Sequence, residues 1–178
     1  FIHNDAGSQN ANAAFYRKWL QTHPLENGFA HYYVAQDGIL QAEDDYNCAW
    51  HCGNLDGNLN YLSIEVCQSM GDLDIFKQNE EKAIQLVAQK CKEYGIIPST
   101  DTIRLHQEVY STSCPHRSVE IHGGRGATKA YFIERIKAYM EPPRITQVNA
   151  SLQANNGADC TRLSIKAVKD GICKVIDK

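Results

Sequence analysis

The side chains best suited to metal binding or nucleophilic chemistry gather between Thr102 and Gly124, in the stretch TIRLHQEVYSTSCPHRSVEIHGG. His106 closes an apolar pattern that predicts a strand, and Cys114 follows it in a predicted loop. Imidazole and thiolate are the ligands that zinc prefers in proteins. The same residue types also form a cysteine nucleophile when a base such as His106 or His116 lies beside the thiol. On this stretch alone, a metal site and a thiol nucleophile remain equally open.

His3 supplies a third candidate ligand, because it ends a short apolar strand, FIH, just before a glycine-containing turn. The ends of strands are where the active-site side chains of α/β sheets gather. Together with His106 and Cys114 it makes a set of three protein ligands, which leaves a fourth zinc position for water. Zinc lowers the pKa of a bound water toward neutrality, so the set is a candidate hydrolytic centre, and the residues alone leave it and the cysteine nucleophile equally open. A cysteine nucleophile, by contrast, needs no His3.

Glu65 is the candidate carboxylate for such a centre. It lies in LSIEVC, between Ile64 and Val66, on a strand whose apolar pattern predicts a central position. A carboxylate there costs free energy unless it is paired or faces a functional site. A hydrolytic zinc site needs a carboxylate as general base or as electrostatic stabiliser. The alternative is that Glu65 points to solvent from an open face of the sheet.

Two further histidines are candidates for holding a substrate. His31 lies in AHYYV and His51 lies in AWHCG, each in a predicted strand or loop. Either imidazole can hydrogen-bond a substrate amide, and either is equally compatible with a partly exposed surface position.

The elements that must position these residues alternate between strands and helices. Strand patterns occur at FIH, on both sides of Asp37-Gly38, at NYLSIEVCQS and at STDTIRLH, and the Asp-Gly pair predicts a hairpin. Helical spacing of apolar residues covers residues 11–23, 72–96 and 127–140. The order predicts an α/β fold: a single domain over residues 1–141, with a central mixed β-sheet flanked by helices.

The chain changes character after Pro142-Pro143. Residues 142–160 are polar and rich in Asn and Ala, which predicts a linker. Residues 161–178 recover alternating apolar residues and are interpreted as the start of a C-terminal segment. The disulfide state of Cys160 and Cys173 remains open.

Composition excludes several classes of function. The 178 residues are 43% hydrophobic and 22% charged, as in ordinary globular proteins, and the net charge is -3. Nucleic-acid binding is not expected, because it usually leaves a basic footprint. Membrane insertion is not expected either, since no apolar run approaches the ~18 residues of a spanning helix.

Five motifs, taken together and in this order, resemble one family. They are FIHNDAGS, AHYYVAQDG, AWHCGN, LSIEVC and LHQEVYSTSCPHR, and they span about residues 1–140. In these motifs the chain resembles the zinc-dependent N-acetylmuramoyl-L-alanine amidases of the phage-lysozyme and peptidoglycan-recognition-protein superfamily. The resemblance implies the amidase-like α/β fold of this family. It also implies hydrolysis of the amide between N-acetylmuramic acid and L-alanine in peptidoglycan, and therefore cell-wall lysis, as in the catalytic domain of a phage endolysin.

The resemblance also implies roles for single residues. His3, His106 and Cys114 match the zinc ligands, and Glu65 matches the carboxylate that acts as general base. His51 and the neighbouring Trp50 match residues that line the substrate groove. Thr112 stands where many relatives carry a Lys that stabilises the oxyanion, and Thr offers one neutral hydrogen bond but no charge.

Two other functions remain as alternatives. One is a peptidoglycan-binding module without catalysis, and the other is a cysteine peptidase of the stem peptide. Cys114 and Glu65 are both retained, which favours an enzyme. The expected partner is bacterial peptidoglycan. The oligomeric state is open, and the C-terminal segment is a candidate for wall binding or self-association. An endolysin would stay in the cytoplasm of the bacterial host until lysis, whereas an autolysin would be secreted to the wall.

Overall fold

A computed structural model of the chain describes residues 1–141 and two later strands. Residues Phe1–Met140 form one compact unit. Its regular elements, in chain order, are β1 (Ile2–Asn4), α1 (Ala13–Trp19), β2 (Tyr32–Ala35), β3 (Gly38–Gln41), α2 (Leu55–Asn60), β4 (Ile64–Val66), α3 (Leu73–Glu93), α4 (His116–Ile121) and α5 (Arg125–Met140). Short 3-10 turns lie at Leu25–Asn27 and His106–Glu108.

The sheet of this unit is mixed and has the strand order β1-β4-β2-β3. Strand β4 is central, as its apolar pattern predicts, and it runs parallel to both β1 and β2. Strands β2 and β3 form the hairpin predicted by Asp37-Gly38, with Ala35 paired to Gly38. The prediction of a central mixed sheet flanked by helices is confirmed.

Strand register divides the side chains between two faces of the sheet. Partners across a strand pair point to the same face, and successive residues alternate. His3 is the partner of Glu65, which is also the partner of Tyr33, so these three side chains share one face. The opposite face carries apolar side chains that pack in the main core with α3 and α5: Ile2, Tyr32, Val34, Ile64 and Val66.

Helix α3 forms where the sequence predicts it and supplies much of that core. The Asp72 side chain caps its N-terminus by accepting from the amides of Asp74 and Ile75, and Gly95 follows its end at a φ of +66°. Its buried face includes Phe76, which is fully inaccessible to solvent. Burial of a side chain of this size contributes about 1.5–3 kcal/mol.

The strand predicted at STDTIRLH does not form. Leu105 makes a single parallel bridge to Ile2, and His106 then begins a 3-10 turn. Upstream, the Thr102 hydroxyl accepts from the Ser99 amide at 2.9 Å and donates to a backbone carbonyl at 2.7 Å. Side-chain to backbone bonds of this kind compete with a strand ladder, which explains the error.

The two later strands form a separate antiparallel pair, β5 (Ile165–Lys169) and β6 (Ile172–Ile176). They fall within the predicted C-terminal segment, residues 161–178, whose extent stays a prediction. The predicted linker, residues 142–160, lies outside the described residues, as does Cys160. Within the described parts of the chain, none of the helices has the length and apolar character needed to cross a membrane.

Candidate active site

The three predicted metal ligands converge at one edge of the sheet. His3 comes from β1, His106 from the turn after the Leu105 bridge, and Cys114 from the loop before α4. One ligand atom from each lies within 4.8 Å of the other two. Around a tetrahedral zinc, with bonds of about 2.0–2.3 Å, ligand atoms lie about 3.3–3.8 Å apart. A small contraction of the set therefore suffices to coordinate an ion.

The chemistry of this group fits zinc. Two imidazoles and a thiol are a typical catalytic donor set with one position left for water. Among the described residues, seven buried side-chain nitrogen or oxygen atoms lack a hydrogen-bond partner, and two of them, His106 Nε2 and Glu65 Oε2, belong to the candidate site. Buried polar atoms are rarely left unpaired. These two atoms are therefore available to a metal ion and to the water that it would bind.

The thiol of Cys114 is not set up as a nucleophile. Its Sγ lies 3.6 Å from His3 Nδ1 and accepts from the Asn4 amide at 3.3 Å. Burial raises the pKa of this thiol, and the nearby Glu65 carboxylate raises it further. A nucleophilic cysteine needs a depressed pKa. The environment of Cys114 therefore suits a metal ligand, which a bound cation deprotonates.

Asn4, which no sequence pattern singled out as a candidate, links β1 to the segment that follows Cys114. Its amide nitrogen donates to Ser118 Oγ at 3.0 Å, and its amide oxygen accepts from the Ser118 backbone at 3.0 Å. The side chain is 3% exposed. The sequence feature that could have identified Asn4 is its position as a polar residue directly after His3 in a buried strand. Asn4 thus ties the end of β1 to the first turn of α4.

Glu65 faces a cleft of about 350 Å³ and not open solvent. Burial raises its pKa to about 8, and the charge of Asp5 adds to the rise. A carboxyl whose pKa lies close to neutrality can take up and release a proton at ordinary pH. The cleft therefore holds a carboxyl group that can titrate near neutral pH.

Asp5 is a second residue that the sequence did not single out. Its carboxylate accepts from Tyr16 Oη at 2.9 Å, from the amides of Gln68 and Ser69 at 3.1 Å, and from Ser69 Oγ at 2.8 Å. The sequence feature that could have identified Asp5 is its position as an acidic residue two places after the candidate ligand His3. Asp5 lines the same cleft as Glu65 and is held in place by four donors.

His51 and Trp50 also line this cleft. Trp50 is 47% exposed and offers a flat apolar surface. His51 is more enclosed, and burial lowers its pKa to about 3. Its Nδ1 lies 3.1 Å from His3 Nε2. The structure therefore brings both predicted groove residues to the candidate site.

His31 and Thr112 have other contacts. His31 is 1% exposed, its Nδ1 lies 2.8 Å from Ser63 Oγ and its Nε2 lies 3.1 Å from the Asn47 carbonyl. The structure does not bring His31 to the cleft lining, because both ring nitrogens bond within the protein. The Thr112 hydroxyl accepts from the Cys114 amide at 3.2 Å, so it supports the ligand loop.

A larger cavity, of about 670 Å³, lies elsewhere in the unit and is mainly apolar. Phe1, Tyr61, Val87 and Ile103 are among its lining residues, but none of the predicted ligands is. Side-chain chemistry, and not cavity size, identifies the candidate site.

The part of the chain that carries these residues matches a known family. Residues 1–117 match the model of a family described as N-acetylmuramoyl-L-alanine amidase.

Several curated proteins are similar in sequence. The chain is 39% identical over 160 residues to Endolysin PlyTW of Staphylococcus phage Twort, and 38% identical over 167 residues to Endolysin LysK of Staphylococcus phage K. Each match covers 79% of this chain, but only 33% and 32% of the relative. The chain thus spans about a third of the length of these endolysins. It is also 33% identical over 119 residues to the N-acetylmuramoyl-L-alanine amidase CwlA of Bacillus subtilis, covering 65% of this chain and 42% of that protein.

Solved structures share the fold. PlyL superposes with a TM-score of 0.62 at 28% identity, over 74% of this chain and 80% of that chain. The PlyG catalytic domain superposes with a TM-score of 0.64 at 26% identity, over 78% and 79%. These matches confirm the predicted amidase-like architecture.

Proposed function

Because the chain belongs to the N-acetylmuramoyl-L-alanine amidase family, we propose that it hydrolyses the amide between N-acetylmuramic acid and L-alanine in peptidoglycan and so lyses the cell wall. One observation carries the proposal: the ligand atoms of His3, His106 and Cys114 lie within 4.8 Å of one another, next to the cleft of Glu65. The endolysin relatives support a phage endolysin, made in the bacterial cytoplasm and acting on the wall.

His3, His106 and Cys114 would hold the zinc ion of this site. When bound, zinc polarises a carbonyl oxygen and lowers the pKa of a water molecule. The protein's own part is to bring the two imidazoles and the thiol together at the sheet edge, where Asn4 links β1 to the Cys114 loop and to α4.

Glu65 transfers the protons of the reaction. It takes a proton from the attacking water and passes it to the departing nitrogen of L-alanine. A pKa near neutrality suits both steps, since the same group must accept and then donate. Asp5 assists indirectly, because its fixed negative charge raises the pKa of Glu65.

The cleft also contacts the substrate. Trp50 provides an exposed aromatic surface for the glycan or the stem peptide. Thr112 is the neutral hydroxyl that supports the Cys114 loop and can add one hydrogen bond at the reacting carbonyl. His51 closes the cleft beside His3.

Mass spectrometry of digested peptidoglycan tests the activity. We expect products with a free N-terminal L-alanine and glycan strands with a free lactyl carboxylate. A cysteine peptidase would cut inside the stem peptide, and a binding module would sediment with the wall without releasing product. Either result would reject the proposed reaction.

Glu65→Gln tests the role of the carboxylate. Loss of a positioned acid–base group typically costs about 10²–10⁴-fold in rate. We expect a loss in that range, measured on purified walls, with unchanged zinc content and melting temperature. Asp44→Asn, on an exposed loop, is the matched control and should keep full activity.

The C-terminal segment, residues 161–178, is proposed to serve wall binding or self-association, connected through residues 142–160 as a linker. The pair β5–β6 supports an ordered segment there. Wall co-sedimentation of a chain ending at Met140, compared with the full chain, tests this role.

A further inference from the structure

We propose that His51 is a positioning residue that sets the tautomer of His3 through a hydrogen-bond chain ending on the Gly57 carbonyl. The inference rests on the zinc site proposed above, because it concerns which nitrogen of His3 is presented to the ion.

The chain of contacts is continuous and lies inside the protein. His3 Nδ1 faces Cys114 Sγ at 3.6 Å, and His3 Nε2 lies 3.1 Å from His51 Nδ1. His51 Nε2 in turn lies 3.1 Å from the Gly57 carbonyl oxygen. His3 is 1% exposed, so little solvent competes for these contacts.

The Gly57 carbonyl, at the end of this series of hydrogen bonds, determines where the protons lie. A backbone carbonyl can only accept, so His51 Nε2 must carry the hydrogen. In a neutral imidazole the other nitrogen then accepts, and His51 Nδ1 therefore accepts from His3 Nε2. His3 Nδ1 is left with its lone pair, directed at Cys114 Sγ and the centre of the ligand set.

Helix α2 holds the last hydrogen bond of this series, from His51 to the Gly57 carbonyl, in place. Gly57 lies in α2, and a Cβ on it would come within 2.4 Å of Cys52 Sγ and 3.3 Å of the Phe1 ring. His51 is also fixed through its backbone, because its amide donates to Asn58 Oδ1 at 3.0 Å. Both partners of the final hydrogen bond are therefore restrained by α2. Bonds of this type orient metal-binding histidines, and their loss typically costs about 10–100-fold in metal affinity.

Zinc affinity provides the first test, by competition with a chromophoric chelator. His51→Leu removes the acceptor and should weaken zinc binding by about 10–100-fold. His51→Asn keeps an acceptor oxygen near the position of Nδ1 and should retain affinity within about threefold.

The matched control is His23→Leu. His23 Nε2 also contacts a glycine carbonyl, that of Gly28 at 3.0 Å, but its ring stacks on Trp19. We expect unchanged zinc affinity. Equal affinity for the wild type and His51→Leu would overturn the proposal, and so would equal losses for His51→Leu and His51→Asn.

Histidine tautomers in the metal-free wild type provide a second test that needs no variant. Nitrogen NMR should find His3 and His51 both protonated at Nε2. Protonation of His3 at Nδ1 would reject the inference even if a His51 variant fails to fold. The proposed function fails separately, if the wild type binds no zinc or releases no L-alanine-terminated peptides.

Discussion

At the scale of single residues, environment decides which chemistry a side chain can perform. Glu65 and Asp5 are both carboxyl groups of the same cleft, yet their surroundings differ. Asp5 accepts four hydrogen bonds, whereas Glu65 Oε2 has no partner. A carboxyl group that is buried without donors is harder to ionise. Glu65 is therefore the carboxyl group of this cleft that is suited to exchange protons.

Asp5→Asn tests this division of roles. Because the negative charge of Asp5 raises the pKa of Glu65, its removal should lower that pKa. The acidic limb of the pH profile of wall hydrolysis should then move to lower pH, by up to about one unit. The measurement is kcat/KM against pH, with melting curves to verify folding. An unchanged acidic limb in a folded variant would contradict the coupling.

At the scale of elements, local patterns predicted the fold well where they extend over enough residues. Helices α3 and α5 and the hairpin at Asp37-Gly38 were predicted correctly, because their signals lie within one element. Helices α2 and α4, with six residues each, are too short for a periodic signal. The strand predicted before His106 was wrong, since hydrogen bonds of Ser99 and Thr102 compete with pairing.

The sequence singled out the side chains that the structure brings together at the candidate site, but not the residues that support them. His3, Glu65, His106 and Cys114 stand out by residue type and by their place in the motifs. The support from Asn4 depends on Ser118, which is 114 positions away, and the contact of His51 with Gly57 depends on the fold of α2. Such contacts follow from how elements pack and leave no local pattern.

Asn4→Ala measures the value of the link between β1 and α4. The change leaves the Ser118 amide buried without a partner, which costs about 1–3 kcal/mol. We expect the free energy of unfolding, from urea titration, to fall by this amount. Asn60→Ala, which removes only an exposed bond to Asp56, should change it by less than about 0.5 kcal/mol. Equal effects of the two variants would show that the link is not structural.

At the scale of the whole unit, charge networks join distant segments. Burial alone would raise the pKa of Asp45, but hydrogen bonds from Lys90, Tyr32 and Tyr94 outweigh it and hold the pKa below its usual range. Burial alone would likewise raise the pKa of Glu108, but hydrogen bonds from Lys129, the Leu105 amide and Arg104 outweigh it and hold the pKa below its usual range. These acids contribute stability above about pH 4 that is lost as the pH falls through their lowered pKa values.

The buried imidazole of His31 also makes the folded protein less stable as the pH falls, but in a higher pH range than the carboxylates. Burial lowers its pKa, so the unfolded chain binds a proton first as the pH falls below about 6.5. Protonation of the unfolded state removes stability from the folded protein. Acidification should therefore destabilise this unit in two ranges, one for buried histidines such as His31 and His51 and one for the carboxylates.

Asp45→Asn separates the two ranges. At about pH 7 it should lower the free energy of unfolding by about 1–3 kcal/mol, because it weakens hydrogen bonds to a charged, largely buried group. Below about pH 4 the difference from the wild type should shrink, because the unfolded chain then binds a proton that the folded carboxylate, with its lowered pKa, takes up only at still lower pH. Glu120→Gln, whose pair with Arg117 is exposed, should have little effect at any pH. A constant difference across the pH range would contradict the assignment.

The register of β1 and β4 gives the site two halves of unequal stiffness. His3 and Glu65 are partners on adjacent parallel strands, so the ladder spacing of about 4.7–4.9 Å sets the separation of their backbones. His106 and Cys114 instead enter from a turn beyond a single bridge and from a loop. We therefore expect His106 and Cys114 to shift when the radius of the bound ion changes, while the imidazole of His3 and the carboxyl group of Glu65 keep their spacing. Substitution of cobalt or cadmium should accordingly alter amide exchange around His106 and Cys114 and leave the strands unchanged.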